Sequence, residues 1–260
     1  MFEIIDMNNY KPYKKMGKTI ITRTIENKKV VWPNFEEINF NGNFKIRIID
    51  KKDIFAVTQL WRENYGELYG SSSKYDWVLY PERYDSNVAL RESWEKDRLD
   101  KSFCMVIFEE KESLKIIGAN VWFKDDRNLQ IESSLGTFHH EYRQGKNSMD
   151  ILSLAGDFIK KIENESGAEY LTAFCETWHS ITQFLCFKRW GYKVAGIFPG
   201  QFTRWNGEQQ EYRACEVHFY KFIGDAEKYV TKIGEIKLFH EFNELWNTLE
   251  NINKSSTERF

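Results

Sequence analysis

The sequence predicts an α+β fold: a mixed, largely antiparallel central sheet flanked by helices, with a small N-terminal extension. Two observations predict it. Short β-rich runs recur at 44–49, 103–109, 115–123, 129–138, 169–175, 192–198 and 212–222, most of them bounded by polar turn residues. Apolar side chains at helical spacing, or helix-compatible composition, fill 53–64, 86–99, 148–163, 179–190 and 235–249. The order is strand, two helices, three strands, helix, strand, helix, two strands. The three consecutive strands imply a meander, and the interleaved helices imply a sheet with helical layers.

Composition agrees. The 260 residues carry 37 Lys+Arg against 39 Asp+Glu, a net charge of −2. That balance gives no general drive toward nucleic acid or anionic membrane. A 42% hydrophobic fraction beside 29% charged residues excludes a disordered chain. No apolar run approaches a membrane span, and the opening residues lack the apolar region of a secretory signal. The four cysteines are scattered without a CxxC, which argues against a zinc ribbon or disulfide framework and fits a reduced, cytoplasmic setting.

The elements follow in order. Residues 1–43 form the extension, with 19–25 and 29–32 as the arms of a β-hairpin that Pro33 ends. Residues 44–222 form the main domain. Phe44–Ile49 alternates as a strand, and Asp50 can cap the helix over 53–64, which repeats Ile54, Val57, Leu60 and Trp61. The stretch 65–84 holds Gly and Ser breakers and six aromatics, so it reads as a long loop or broken helix. Gly136 inside the 129–138 strand suggests a bulge. Met149, Leu152, Ala155, Phe158, Ile159 and Ile162 share one face of the 148–163 helix, and Gly191 stops the 179–190 helix. Residues 223–260 form a C-terminal helix and tail. The stripe Ile236, Phe239, Phe242, Leu245, Trp246 and Leu249 is expected to dock on the chain's own core, with contact between two copies in a homodimer as the alternative.

The stretch that carries chemistry is 129–163. A strand runs through a short loop with Arg143, Gly145, Lys146, Asn147 and Ser148 into a helix start. A helix N-terminus presents free N–H groups and the positive end of a dipole, so it suits a phosphate. Arg143 and Lys146 can add charge-assisted contacts. A strand–loop–helix junction that binds nothing has the same residue types.

This element order and this loop resemble the GNAT superfamily of acyl-CoA N-acyltransferases, whose loop reads Arg/Gln-x-x-Gly-x-Gly/Ala after a tyrosine. Tyr142 and Arg143 match the start, Lys146 stands at the first glycine and Ser148 at the second. Residues 179–192 resemble the helix beside the acyl-CoA thiol, with Gly191-Tyr192 at its end. Phe187 stands where the family commonly has the tyrosine that protonates the departing thiolate. The resemblance covers 44–222.

It implies an N-acetyltransferase using acetyl-CoA as co-substrate, with no metal, and a small-molecule or peptide amine as acceptor. It implies that Arg143, Gln144, Gly145, Lys146, Asn147 and Ser148 hold the pyrophosphate. Gly136, Thr137 and Phe138 would take the pantetheine amides like an added strand, with Phe187 near the thiol. Glu132 would deprotonate the amine, the alternative being an outward-facing strand carboxylate. Tyr65, Tyr69, Tyr75 and Trp77 would line the acceptor site, the alternative being a hydrophobic cluster under a long loop. His139 and His140, read as strand neighbours, would point to opposite faces and not share a metal. Cys186 could approach the thiol, though a small core side chain is the plainer reading. Two rival functions stand beside the transferase: a non-catalytic CoA- or acyl-CoA-binding module, and an interaction protein on the same fold.

Overall fold

The chain's computed structural model describes residue 23 and residues 28–35, 37–39, 42–66, 74–143, 146–205, 211–231 and 238–256. Within them the β-rich runs build one mixed sheet of nine strands: β1 (Glu37–Asn39), β2 (Phe44–Ile48), β3 (Val88–Ala89), β4 (Phe103–Glu110), β5 (Ile116–Asp125), β6 (Gln130–Phe138), β7 (Tyr170–Glu176), β8 (Lys193–Trp205) and β9 (Glu211–Phe222). Their order is β1-β2-β4-β5-β6-β7-β9-β8, with β3 beside β4. Every pair is antiparallel except β6–β7 and β3–β4.

Each helix follows from its apolar stripe. α1 (Ile54–Tyr65) buries Val57, Leu60 and Trp61. α4 (Lys146–Glu165) crosses from the end of β6 to the start of β7, as a parallel pair requires. It buries Ile151, Leu154, Phe158, Ile159 and Ile162. β4 is buried from Phe103 to Glu109, the mark of a central strand covered on both faces.

The expected helix over 86–99 is interrupted. A short α2 (Tyr84–Asn87) gives way to β3, and α3 spans Trp94–Asp100. Val88 and Ala89 pair with Phe103 and Cys104 of β4, while the Asp97 carboxylate accepts the Leu90 N–H at 3.1 Å and the Ser93 hydroxyl at 2.5 Å. A neighbouring strand and a capping carboxylate override local helix propensity here.

The second hairpin arm, 29–32, is not a strand among the described residues. Of the first arm only Arg23 is described. Instead Val30, Trp32 and Phe35 sink into the core at 1%, 0% and 4% exposure. Lys124 holds this segment in place: its buried ammonium donates to the carbonyls of Val30 (2.8 Å), Leu99 (2.8 Å) and Arg98 (3.1 Å). Burial lowers its pKa. A second buried cation, Arg47, binds Asp53 at 2.6 Å, Glu109 at 2.6 Å and Asp50 at 3.2 Å. Burial opposes its charge, but hydrogen bonds and the charges of Asp53 and Glu109 more than reverse this and raise its pKa.

After β7 come a short α5 (Ile181–Phe184), a π-turn over Leu185–Arg189, and Gly191 at φ 73°, a left-handed angle that suits glycine. α6 (His240–Lys254) departs from expectation. Phe239, Phe242 and Leu245 are exposed, at 63%, 56% and 58%. The helix is held at its other end, where Asn253 exchanges two hydrogen bonds with the Val194 backbone, at 2.7 and 3.0 Å. No described helix is long and apolar enough to cross a membrane.

Candidate active site

The parallel pair β6–β7 opens partway along. Its register runs from Gln130↔Tyr170 to Ser133↔Ala173 and stops, although β6 continues to Phe138 and β7 to Glu176. A β-bulge starts the divergence. Val121 of β5 pairs with Leu135 and Trp122 with Ser133, so Ser134 is the extra residue. An extra residue bends and twists the strand that carries it. The bulge was expected at Gly136. Gly136 instead pairs with Asn120, and a Cβ there would sit 3.3 Å from the Asn120 amide nitrogen. That amide donates to the Leu135 carbonyl at 2.7 Å, bracing the bulge from β5.

A cavity of about 650 Å³ fills the opening. Ser133–Phe138 of β6 and Ala173–Glu176 of β7 form its sides, and Asn64 and Tyr65 close it from α1. Ser148, Ile151 and Ala155 of α4, with Ile181, Thr182 and Cys186 of the α5 region, complete the wall. The His139 N–H donates to the Ile117 carbonyl at 2.8 Å. By the alternation of an antiparallel ladder, the even positions Gly136 and Phe138 then turn their backbone groups toward the opening. The Gly136 carbonyl accepts the Tyr65 hydroxyl at 2.7 Å, and the Phe138 carbonyl accepts Arg143 Nε at 2.9 Å.

The structure brings together Tyr65, Gly136, Thr137, Phe138, Arg143 and Ser148 around this cavity. Ser148 is buried; Arg143 is exposed. The α4 N-terminus stands at the mouth, begun by the backbone of Lys146 and Asn147. Tyr69, Gln144 and Gly145 lie outside the described residues. Phe187 is half-buried with the Lys188 ammonium 4.8 Å from its ring centre, and does not line the cavity. Trp77 is a core residue, edge-on to Tyr84 at 5.1 Å.

Glu132 lies on the sheet face away from α4. Trp122 on one face meets Phe158 of α4 at 5.4 Å, while Phe123, the register partner of Glu132, meets Phe103 on the other. Three donors converge on Glu132 Oε1: the Tyr75 hydroxyl in a short hydrogen bond, Ser134 Oγ at 2.8 Å and Lys74 Nζ at 3.2 Å. Burial, then the Glu132 charge, raise the Tyr75 pKa, so Tyr75 stays a phenol and a donor. Farther along this face the His218 ring stacks on Phe198 at 3.8 Å and meets Phe174 edge-on at 4.1 Å, with Glu216 at 3.9 Å from its Nε2. Burial lowers the His218 pKa and keeps the ring neutral; the Glu132 charge opposes this.

Lys74, Asn120, Ser134, Glu216 and His218 were not singled out for this site from sequence. For Glu216 and His218 a signal existed: they alternate with buried Val217 and Phe219 along β9. The two adjacent histidines also differ from expectation. His139 precedes a 3-10 turn (His140–Tyr142), so the rings lie on the same side, 4.4 Å apart. With Glu141 they hold three ligand atoms within 4.8 Å, but Lys115 already pairs with that carboxylate at 3.1 Å. His179 is exposed at the cavity wall.

Chemically, the opening offers the edges of β6 and β7 that no longer pair with each other for an extended chain and the α4 N-terminus for an anion, while the Glu132 carboxylate lies outside the cavity lining on the far face. No family model matches the sequence, and no curated protein matches it. Solved structures do share the architecture. Ribosomal-protein-S5-alanine acetyltransferase from Vibrio fischeri is 15% identical with a TM-score of 0.52, over 73% of this chain and 97% of that one. A probable acetyltransferase of the GNAT family from Chromobacterium violaceum is 11% identical at 0.50, over 80% and 96%. A variant of spermidine N-acetyltransferase from Vibrio cholerae is 13% identical at 0.50, over 72% and 97%. The chain therefore has the GNAT acetyltransferase fold.

Proposed function

We propose that the protein is an acyl-CoA-dependent N-acyltransferase that moves an acetyl group from acetyl-CoA to an amine. The observation that carries this reading is the divergence of β6 and β7 beyond Ser133 and Ala173, with a cavity in the gap and the α4 N-terminus at its mouth. Pantetheine is an extended chain with two amides. Its natural seat is the freed edge of β6 around Gly136–Phe138, where it would displace the Tyr65 and Arg143 contacts. Residues 143–148 would then hold the pyrophosphate.

An ammonium cannot attack a thioester until it loses a proton. Glu132, anchored at Oε1 by three donors, would accept it directly or through water. Backbone N–H groups beside the bulge would polarise the thioester carbonyl. The amine adds in a ternary complex, and the thiolate leaves with no covalent enzyme intermediate. Phe187 has no proton to give that thiolate. This favours the second reading, a non-catalytic acyl-CoA-binding module.

Two measurements separate them. CoA and acetyl-CoA should raise the melting temperature, and ligand at ~100 Kd adds about 2.7 kcal/mol. Acetyl-CoA with a panel of amines, including spermidine and an alanine-terminated peptide, should release free thiol. Stabilisation without thiol release selects the binding module, and no stabilisation refutes both.

A further inference from the structure

The floor of the cleft holds a pair of groups that acyl transfer does not use. Cys175 lies in the part of β7 past its last pairing with β6, and Cys186 lies in the π-turn after α5. Their Sγ atoms are 3.7 Å apart. They are 5% and 2% exposed, and both line the cavity. The contact with Cys175, followed by burial, raises the Cys186 thiol pKa. Cys186 is therefore slow toward reagents in bulk solvent. A molecule that enters the cavity meets both sulfurs at once.

We propose that Cys175 and Cys186 form a redox-active dithiol, a modification site oxidised by low-molecular-weight disulfides that enter the cleft. The thiolate of one cysteine attacks a sulfur of the small disulfide, whose S–S bond breaks and releases one thiolate. The second cysteine then attacks the protein sulfur of this mixed disulfide and expels the other half as a second thiolate. The protein loses two hydrogens, and the small disulfide becomes two thiols.

A disulfide is about 2.05 Å long, so the sulfurs must close by roughly 1.7 Å. β9 still holds β7 at Cys175↔Val217, so the movement falls mainly on the Cys186 side. The end of β7 has lost β6 as a partner, and the π-turn bonds from the Trp190 N–H to the Leu185 carbonyl, a widened turn of the kind common at functional sites. The new bond draws α5 toward β7. Ile181 and Thr182 of α5 line the same cavity as Phe174 and Glu176 of β7, so drawing α5 toward β7 narrows the cleft. This consequence for the cofactor rests on the acyl-CoA reading; the dithiol chemistry does not.

The test treats the native full-length protein with oxidised glutathione, quenches it with N-ethylmaleimide in denaturant, and maps the peptides. The expected result is a loss of two hydrogens and a crosslink joining the Cys175 and Cys186 peptides. Cys175→Ser and Cys186→Ser should each stop at one glutathione adduct, and Cys175→Ala provides a second variant if serine unfolds the site. Maleimide on both cysteines, or a crosslink through Cys104 or Cys215, overturns the proposal. An acetyl-CoA-induced melting shift, from a ligand with no free thiol to reduce the disulfide, should be present in the reduced protein, lost on oxidation and restored by dithiothreitol. Equal shifts in both states overturn the cleft-narrowing. No shift in the reduced protein overturns the acyl-CoA reading and leaves the mass result to judge the dithiol.

Discussion

Glu132→Gln isolates proton transfer from shape. An amine of pKa ~10.4 is neutral in only about one molecule in 2,500 at pH 7, so something must take its proton. In the folded protein, Tyr75, Ser134 and Lys74 all donate to Oε1, which leaves Oε2 as the oxygen to accept from the amine or a water. Glutamine can turn its carbonyl to the Oε1 side and keep the Tyr75 and Ser134 bonds, placing NH2 where Oε2 was. The lost ion pair to Lys74, whose side chain is 47% exposed, is worth about 0–1 kcal/mol. The fold and CoA affinity should survive. The rate should not: losing a positioned base costs ~10²–10⁴ in kcat, or about 2.7–5.4 kcal/mol at 1.36 per decade. The variant should recover about tenfold per pH unit between 7 and 9, as more amine arrives neutral. Thiol release against pH, beside a CoA melting shift, reads both quantities. Wild-type kcat at pH 7 with intact CoA affinity would refute the assignment.

Arg47→Met strips the cation from buried Asp53 and shares Glu109 with Lys45 alone, so stability should fall by about 3–5 kcal/mol. An unfolding free energy from denaturant titration within about 1 kcal/mol of wild type would contradict that. A Cβ at Gly156 of α4 would lie 2.6 Å from Trp190 Nε1. Gly156→Ala should therefore cost about 1–3 kcal/mol despite its better helix propensity, and weaken CoA binding because Trp190 lines the cavity. A stabilised variant with full CoA affinity would show that the ring moves freely. His218 has a lowered pKa from burial, so below about pH 6.5 the unfolded chain takes a proton that the folded ring refuses. That contribution to stability is complete above pH 6.5 and is lost as pH falls toward the folded pKa. His218→Phe, with the ring still between Phe174 and Phe198, should flatten the pH 5–7 stability slope; an unchanged slope would assign it to other groups.

Much of the fold was legible because alternation and helical spacing are local. Phe103–Glu109, Gln130–Phe138 and the α4 stripe fall within two residues of where their patterns put them. What failed was decided at a distance. Val88 and Ala89 read as well in a helix as in β3; the start of β4, which β2 leaves unpaired before Val106, made the choice. The α6 stripe announced an apolar face but not what covers it, and the contact that holds the helix uses polar Asn253. The bulge fell at Ser134 because register with β5, bound by Asn120, outweighs the conformational freedom of Gly136. Around the cavity, Tyr65, Gly136, Thr137, Phe138, Arg143 and Ser148 are residues that the sequence singled out and the fold brings together. The Tyr75–Glu132 contact spans 57 positions and has no local signal.

The parallel β6–β7 pair in a largely antiparallel sheet is what collects these groups. A parallel partner must start at the opposite end from where β6 finishes, so the connection has to travel back across the sheet. α4 makes that journey, and its N-terminus stands where β6 ends. The same end of β6 has separated from β7, because the bulge at Ser134 turns the strand away. The strand edges that β6 and β7 no longer offer each other and the first turn of α4 thus meet at one mouth, as the topology dictates. Ser134 then links the two faces. It is the residue that opens the strands, and its hydroxyl donates to Glu132 at 2.8 Å on the far side. Ser134→Ala keeps the bulge backbone and deletes that donor, so it should leave CoA binding intact while shifting the pH dependence of thiol release. Equal loss of both would mean that Ser134 shapes the cleft and does not position the carboxylate.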